Sequence, residues 1–100
     1  MRSDPRLPTL LFFTEATSGP ARRMESLLAH VARKERDRLN VRRVDAEEHP
    51  DLVTKFSVEK LPTLVLVRDK KVIDRIDGRA SMPQIEALLE LHLSAAPVLA

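Results

Sequence analysis

The segment from Leu10 to Val31 constrains the fold of this chain more than any other, because an apolar run, a short polar turn and an amphipathic stretch follow one another there. The run from Leu10 to Phe13 is typical of a strand that is covered on both faces. Apolar residues then recur at helical spacing and predict one buried stripe of a helix: Met24, Leu27, Leu28 and Val31. A strand that ends at a helix N-terminus is a place where chemistry is often done.

The turn from Thr14 to Gly19 supplies the start signals of that helix. The hydroxyl of Ser18 can accept a hydrogen bond from the free amides of the first helical turn, and Gly19 permits an unusual backbone conformation. Pro20 suits the first helical position, where its missing N–H is not needed. We therefore predict a helix from about Pro20 to Arg38.

The nine residues from Phe13 to Ala21, FTEATSGPA, resemble the active-site segment of the thioredoxin family, which carries a C-G-P-C motif at this point. Ser18 stands at the position of the attacking cysteine and Ala21 at that of the resolving cysteine, while the Gly-Pro between them is kept. Thr17 replaces the tryptophan that usually precedes the motif. Phe12 falls where the family usually buries an aspartate that takes part in proton transfer. The resemblance therefore implies a family member that has lost its chemical groups as a set.

The stretch from Val58 to Val67 resembles the second signature of the family, in which a cis-proline precedes a core strand. This resemblance implies a cis bond before Pro62, and it places Leu61, Pro62 and Thr63 in a groove that binds extended peptides by strand-like pairing. In an alternative interpretation Pro62 only preserves the fold. Two further matches follow the order of the family: Val44 to Pro50, and Gly78 to Ser81.

Hydrophobic patterning along the whole chain predicts the elements of a minimal thioredoxin fold. Besides the first strand and helix, we predict strands over Val41 to Val44, Thr63 to Val67 and Val72 to Ile76, a helix over Pro50 to Phe56, and a final helix over Met82 to Leu93 that is capped by Ser81. The order β-α-β-α-β-β-α predicts an α/β fold, a four-stranded mixed sheet with helices on both faces. Its first two strands are expected to be parallel and its last two to form a hairpin.

The length and composition of the chain predict a single domain, because 100 residues with 43% hydrophobic content are enough for one core. We predict that this thioredoxin-like domain spans residues 1–100, with its core over residues 7–93 and flexible tails at 1–6 and 94–100. No leader pattern precedes the first strand, and no apolar run is long enough to span a membrane. We therefore expect a cytoplasmic protein without a membrane partner.

The chain contains no cysteine, which excludes disulfides, thiolate metal sites and thiol catalysis. We expect no thiol–disulfide oxidoreductase activity, no catalytic residues and no enzyme. His30, His49 and His92 lie far apart in the sequence without a partner at ligand spacing, so we expect no metal site and no cofactor. His49 is predicted to cap the helix that begins at Pro50.

Charge and aromatic content favour a protein partner over a nucleic acid. The formal net charge is only +2 and aromatic residues make up 3% of the chain, so platforms on which bases stack are scarce. Arg22 and Arg23 follow the former active-site loop directly, where positive charge favours an acidic partner.

Together these features predict a redox-inactive thioredoxin-like domain that binds another protein or an extended peptide as an interaction or chaperone-like module. The predicted contact residues are the loop from Thr17 to Ala21 and the groove from Leu61 to Thr63. Two alternatives remain open. In one, the protein is a weak enzyme or carrier that binds glutathione or another small anion at Ser18. In the other, the chain is a structural subunit or a homodimer. The loss of tryptophan at Thr17 removes apolar contact surface, which favours the structural alternative over the groove.

Overall fold

The computed structural model describes residues 6–15 and 19–93, and at Pro20 and Ala21 it describes the backbone only. The predicted tails therefore lie outside the described residues, except for Arg6. Seven elements follow in the predicted order: β1 (Thr9–Thr14), α1 (Gly19–Lys34), β2 (Asn40–Asp45), α2 (Pro50–Lys55), β3 (Thr63–Arg68), β4 (Lys71–Asp77) and α3 (Met82–His92).

The four strands form one mixed sheet in the order β2-β1-β3-β4. Strand β2 runs parallel to β1, as expected for two strands that are joined through a helix. Strand β3 is antiparallel to β1 and forms an antiparallel hairpin with β4. The predicted mixed sheet and its strand directions are confirmed.

Two apolar clusters cover the two faces of this sheet. The larger cluster joins the sheet to α1 and α3, and it includes Phe12, Leu28 and Ile85. The smaller cluster consists of Phe13, Val44 and Val65, with partly buried side chains from α2 and the segment that follows it packed against them. Because successive side chains of a strand point to opposite faces, the neighbours Phe12 and Phe13 enter different clusters.

Helix α1 ends at Lys34, earlier than the predicted end at Arg38. The chain turns tightly there, since the carbonyl oxygen of Glu35 accepts from the N–H groups of both Arg38 and Leu39 at 2.8 Å. This turn brings Leu39 into the core with 2% exposure, and the next residue, Asn40, then begins β2. The chain therefore makes one further, tighter turn after Lys34, and this turn carries Leu39 into the core.

The ends of the other two helices show one predicted cap and one correction. Ser81 begins α3 with a capping box, in which its hydroxyl accepts from Gln84 N–H and its own N–H donates to Gln84 Oε1 at 2.8 Å. His49 occupies the N-cap position of α2, but its side chain makes no cap hydrogen bond. Instead the His49 carbonyl oxygen accepts from Leu52 N–H at 3.1 Å, so this amide of the short helix is satisfied without the imidazole.

Candidate functional site

The loop that was predicted as part of the site lies only partly within the described residues. Thr17 and Ser18 fall outside them. Gly19 is exposed and begins α1, and Pro20 and Ala21 continue its first turn. The helix therefore begins one residue before the predicted start, and Gly19, which was predicted to lie in the turn, has no positive φ.

The pairing of β1 with β3 places the second predicted segment beside the end of β1, the strand that precedes this loop. Phe13 pairs with Thr63 in the antiparallel register. Leu61 and Pro62 precede Thr63, so they continue alongside the chain as it leaves β1 after Thr14. The Leu61–Pro62 peptide bond is cis. The sheet thus brings the cis bond close to the end of β1, although the two lie almost 50 residues apart in the sequence.

Hydrogen bonds on both sides of Leu61 hold this segment in shape. Thr63 is fully buried, and its hydroxyl donates to the carbonyl oxygen of Lys60 at 2.6 Å. The carbonyl oxygen of Pro62 accepts from Gly78 N–H at 2.8 Å. Among the hydrogen bonds between described residues, none uses the N–H or C=O of Leu61. Within the described part of the chain, the backbone donor and acceptor of Leu61 therefore have no partner.

The position that the family reserves for an aspartate is apolar here. Phe12 is 2% exposed within the larger cluster, whose other buried members are all apolar. The buried polar residues of the described chain are Thr14 and Thr63, so no buried carboxyl group takes the place of that aspartate there.

Thr14 is a buried polar residue of this region that the sequence analysis did not single out. It is fully buried, it ends β1, and its hydroxyl donates to the carbonyl oxygen of Glu15 at 3.3 Å. A signal existed in the sequence, because Thr14 is the polar residue that directly follows the apolar run of β1. Thr14 and Thr63 thus lie at the same end of two neighbouring strands, next to the loop.

Comparison with known proteins gives the family. The thioredoxin family model matches residues 3–91. This chain belongs to the thioredoxin family. It is 33% identical over 86 residues to Thioredoxin Y2, chloroplastic, of Arabidopsis thaliana, a match that covers 86% of this chain and 52% of that protein. A thioredoxin of Alicyclobacillus acidocaldarius is 29% identical over 82 residues, which cover 82% of this chain and 78% of the relative.

Solved structures agree with the fold. The germline-specific thioredoxin Deadhead of Drosophila melanogaster superposes with a TM-score of 0.81 at 23% identity, over 87% of this chain and 82% of its own. A malarial protein superposes with a TM-score of 0.79 at 25% identity, over 88% of this chain and 99% of its own. The chain spans about half the length of the two Arabidopsis thioredoxins Y that it matches, 52% of each.

Two arginines add positive charge at this end of the thioredoxin-family domain. Arg22 and Arg23 are exposed in the first turns of α1, and the described first turn carries no acidic residue. The partial positive charge of a helix N-terminus adds to theirs. The N-terminal end of α1 is therefore positively charged.

The described titratable groups do not form a metal centre. No cluster of three or more histidine, aspartate or glutamate residues suited to a metal ion occurs among the described residues. His92 instead pairs with Asp74 across 2.8 Å between Nε2 and Oδ2. That hydrogen bond, together with one from the Arg75 N–H, holds the pKa of Asp74 below its usual value against the opposing effect of burial. No described helix is long and apolar enough to cross a membrane.

Proposed function

We propose that this thioredoxin-family domain is redox-inactive and binds an extended segment of another protein beside Leu61, at the former active-site end of the sheet. The observation that carries the proposal is the backbone of Leu61, whose N–H and C=O have no partner among the described residues. An extended segment can use both groups by strand-like pairing, and its side chains then supply specificity.

The surroundings of Leu61 support such binding because they are already ordered. The bonds from Thr63 to Lys60 and from Gly78 to Pro62 hold the backbone on both sides. The Leu61 side chain is partly buried against the smaller cluster. A site that is shaped before the ligand arrives loses less conformational entropy on binding. Arg22 and Arg23 favour a segment with acidic residues next to the part that pairs.

The redox-inactive part of the proposal rests on the residues themselves. The chain has no cysteine, and the thiolate is the nucleophile of disulfide exchange. Phe12 supplies no proton acceptor in place of the aspartate. We expect no turnover in a disulfide-reduction assay with or without a reductase, and reproducible turnover above a no-protein control would overturn this part.

The binding part is tested with Leu61→Arg, which places a charge in the partly buried position beside the open backbone groups. Leu91→Arg is the matched control, since Leu91 is 73% exposed on α3 in the structure. Tagged forms of the parent chain and both variants are used to capture partners from the source cell extract, after circular dichroism has shown that all three fold. We expect a partner that binds the parent and Leu91→Arg but not Leu61→Arg. The same partners on all three proteins would place the function elsewhere on the surface.

A further inference from the structure

The two edge strands of the sheet, β2 and β4, differ in how their outer backbone groups are used. Strand β4 is closed to a further strand by its own residues. Its pairing with β3 shifts register between Leu66 and Val67, which leaves a β-bulge. The Asp74 carboxylate also accepts from the Arg75 N–H at 2.7 Å, so that edge donor is already satisfied. Bulges and charges are the usual means by which an edge strand is protected from pairing.

Strand β2 is regular, and within residues 6–15 and 19–93 no strand pairs with its outer edge. Its register with β1 is unbroken from Asn40 to Asp45. The N–H of Asn40 donates to the carbonyl oxygen of Pro8 at 2.9 Å, and the N–H of Ala46 donates to the carbonyl oxygen of Thr14 at 3.0 Å. In a parallel strand, the N–H and C=O of every second residue point to the same neighbouring strand. The bonds of Asn40 and Ala46 show that the even-numbered residues of β2 point to β1. Val41 and Arg43 therefore direct both N–H and C=O away from the sheet.

The side chains along β2 alternate between the two faces of the sheet. Val41 packs against the larger cluster, and on the same face Arg43 Nε lies 2.6 Å from Glu25 Oε1 of α1. Val44 belongs to the smaller cluster on the opposite face, which Arg42 shares by the alternation. Both arginines are exposed. The order along the edge is thus apolar, basic, basic, apolar.

A second copy of this chain fits the edge poorly. In a symmetric antiparallel pair one residue lies opposite its own copy. The pairing that overlaps residues 40–44 sets Arg42 opposite Arg42, and the pairing that overlaps residues 41–45 sets Arg43 opposite Arg43. Like charges directly opposite one another are destabilising. A register that sets Arg43 opposite Asp45 overlaps residues 43–45 only, which leaves few backbone bonds.

We propose that the β2 edge binds an extended acidic segment of another protein by strand addition, in which two consecutive acidic residues are flanked by β-branched ones. Residues that lie opposite one another on neighbouring strands share a face. Acidic side chains opposite Arg42 and Arg43 form ion pairs, and β-branched side chains opposite Val41 and Val44 extend the two apolar clusters. This pattern reads the same in both directions, so it fits a parallel or an antiparallel partner.

The direct test is a titration of the isotopically labelled chain with a capped peptide, Thr-Val-Glu-Glu-Val-Thr, followed by amide hydrogen exchange. We expect the amides of Val41 and Arg43 to become protected while the outer amides of β4 do not change. A peptide with lysine in place of both glutamates is expected not to bind. No binding of the acidic peptide at millimolar concentration, or protection that omits Val41 and Arg43, would overturn the proposal.

Two N-methylated peptides test the backbone pairing. In either strand direction, the N–H groups that reach β2 belong to the first glutamate and the second valine, by the alternation of backbone groups. Methylation of these two nitrogens is expected to abolish binding. Methylation of the nitrogens of the first valine and the second glutamate is expected to leave binding intact. Equal binding of both methylated peptides would show that the contact is not strand addition.

A charge variant at the edge completes the test. Arg42→Glu is expected to lower the affinity for the acidic peptide by about tenfold, because an attractive cross-strand pair becomes a repulsive one. Arg79→Glu makes the same change of charge at an exposed position after β4 and is expected to have no effect. Equal losses in both variants would indicate attraction to net charge alone. A dimer of the free chain that Arg42→Glu dissociates would make a second copy the occupant and overturn the proposal.

The Leu61 site and the β2 edge are independent. Leu61→Arg is expected to leave the affinity of the acidic peptide unchanged, so either site can fail its test without the other.

Discussion

Phe12 and Phe13 are neighbours on β1, but they enter two clusters of very different construction. Phe12 lies among the buried side chains of the sheet, α1 and α3. Phe13 is covered by α2, which spans only Pro50–Lys55 and has no fully buried residue. Its ring lies 5.9 Å from that of Phe56 between centroids. One face of the sheet is therefore closed by two long helices, and the other by a short helix with partly buried contacts.

The same alternation recurs on β4, where Asp74 and Arg75 each hold a helix end on a different face. Asp74 contacts His92 at the end of α3. The Arg75 guanidinium donates to the carbonyl oxygens of Phe56 at 2.8 Å and Ser57 at 3.2 Å, at the end of α2. Carbonyl groups at a helix C-terminus lack partners within the helix and attract cations. Apolar burial against two helices thus holds the larger face, whereas the smaller face, with fewer buried side chains, depends more on the contacts of Arg75.

The largest expected effect comes from truncating the two phenylalanines. Phe12→Ala and Phe13→Ala are each expected to lower the free energy of unfolding by about 3–5 kcal/mol. Phe12→Ala is expected at the upper end, because two long helices and the sheet surround its cavity and cannot easily close it. Urea denaturation of both variants gives the difference. If Phe13→Ala lowers the free energy of unfolding as much as Phe12→Ala or more, the smaller face is as rigid as the larger one.

An intermediate effect is expected from Arg75→Met, which keeps much of the apolar stem and removes the guanidinium. Loss of the bonds to Phe56 and Ser57 is expected to lower the free energy of unfolding by about 1–3 kcal/mol. Amide exchange is expected to accelerate in α2 and not in α1.

Arg68→Met is the matched control for that variant. Arg68 also donates to a carbonyl at a helix end, that of His92 on the larger face, at 3.3 Å. Because apolar contacts already hold α3, the control is expected to cost less than about 0.5 kcal/mol. Equal costs for the two variants would contradict the view that polar contacts matter more on the smaller face.

The smallest effect is expected from Asp74→Asn and depends on pH. The pKa of Asp74 is lower in the folded chain because His92 and the Arg75 N–H bind its ionised form. The ionised form therefore stabilises the fold at neutral pH, and this contribution is lost as the pH falls below the usual aspartate value of about 3.9. At pH 7 the substitution is expected to lower the free energy of unfolding by about 0.5 kcal/mol, which is typical of a solvent-exposed ion pair.

Urea denaturation at a series of pH values measures this dependence, with Asp37→Asn as a control for the change in net charge. The difference between the parent and Asp74→Asn is expected to shrink in acid. A difference that stays constant down to strongly acidic pH would show that ionisation of Asp74 is not its cause.

Much of the fold could be predicted because its signals are local. The apolar run and helical stripe between Leu10 and Val31 predicted β1 and α1, and Ser81 predicted the cap of α3. The end of α1 could not be predicted in this way. No residue type between Lys34 and Arg38 breaks a helix, and the tightened last turn that leads to the buried Leu39 shows only in the folded chain.

The candidate site also contains residues that the sequence predicted and residues that it did not. Leu61 and Pro62 stood out by resemblance to a known motif, and Phe12 by its departure from one. Thr14 was missed, since a threonine at the end of a strand is ordinary until its complete burial is seen. The contact of Arg75 with α2 joins residues that are 19 and 18 positions apart, and no local pattern marks it.

By itself the sequence determined the order of the elements, the alternation that divides Phe12 from Phe13, and the absence of thiol chemistry, because periodicity and residue type act over a few residues. The tertiary structure decided which backbone groups find a partner among the described residues. For Leu61, Val41 and Arg43 this depends on the strands beside them, because hydrogen bonds between strands join residues that are far apart in the sequence. The bulge disturbs the edge at β4, whereas the register of β2 with β1 is unbroken.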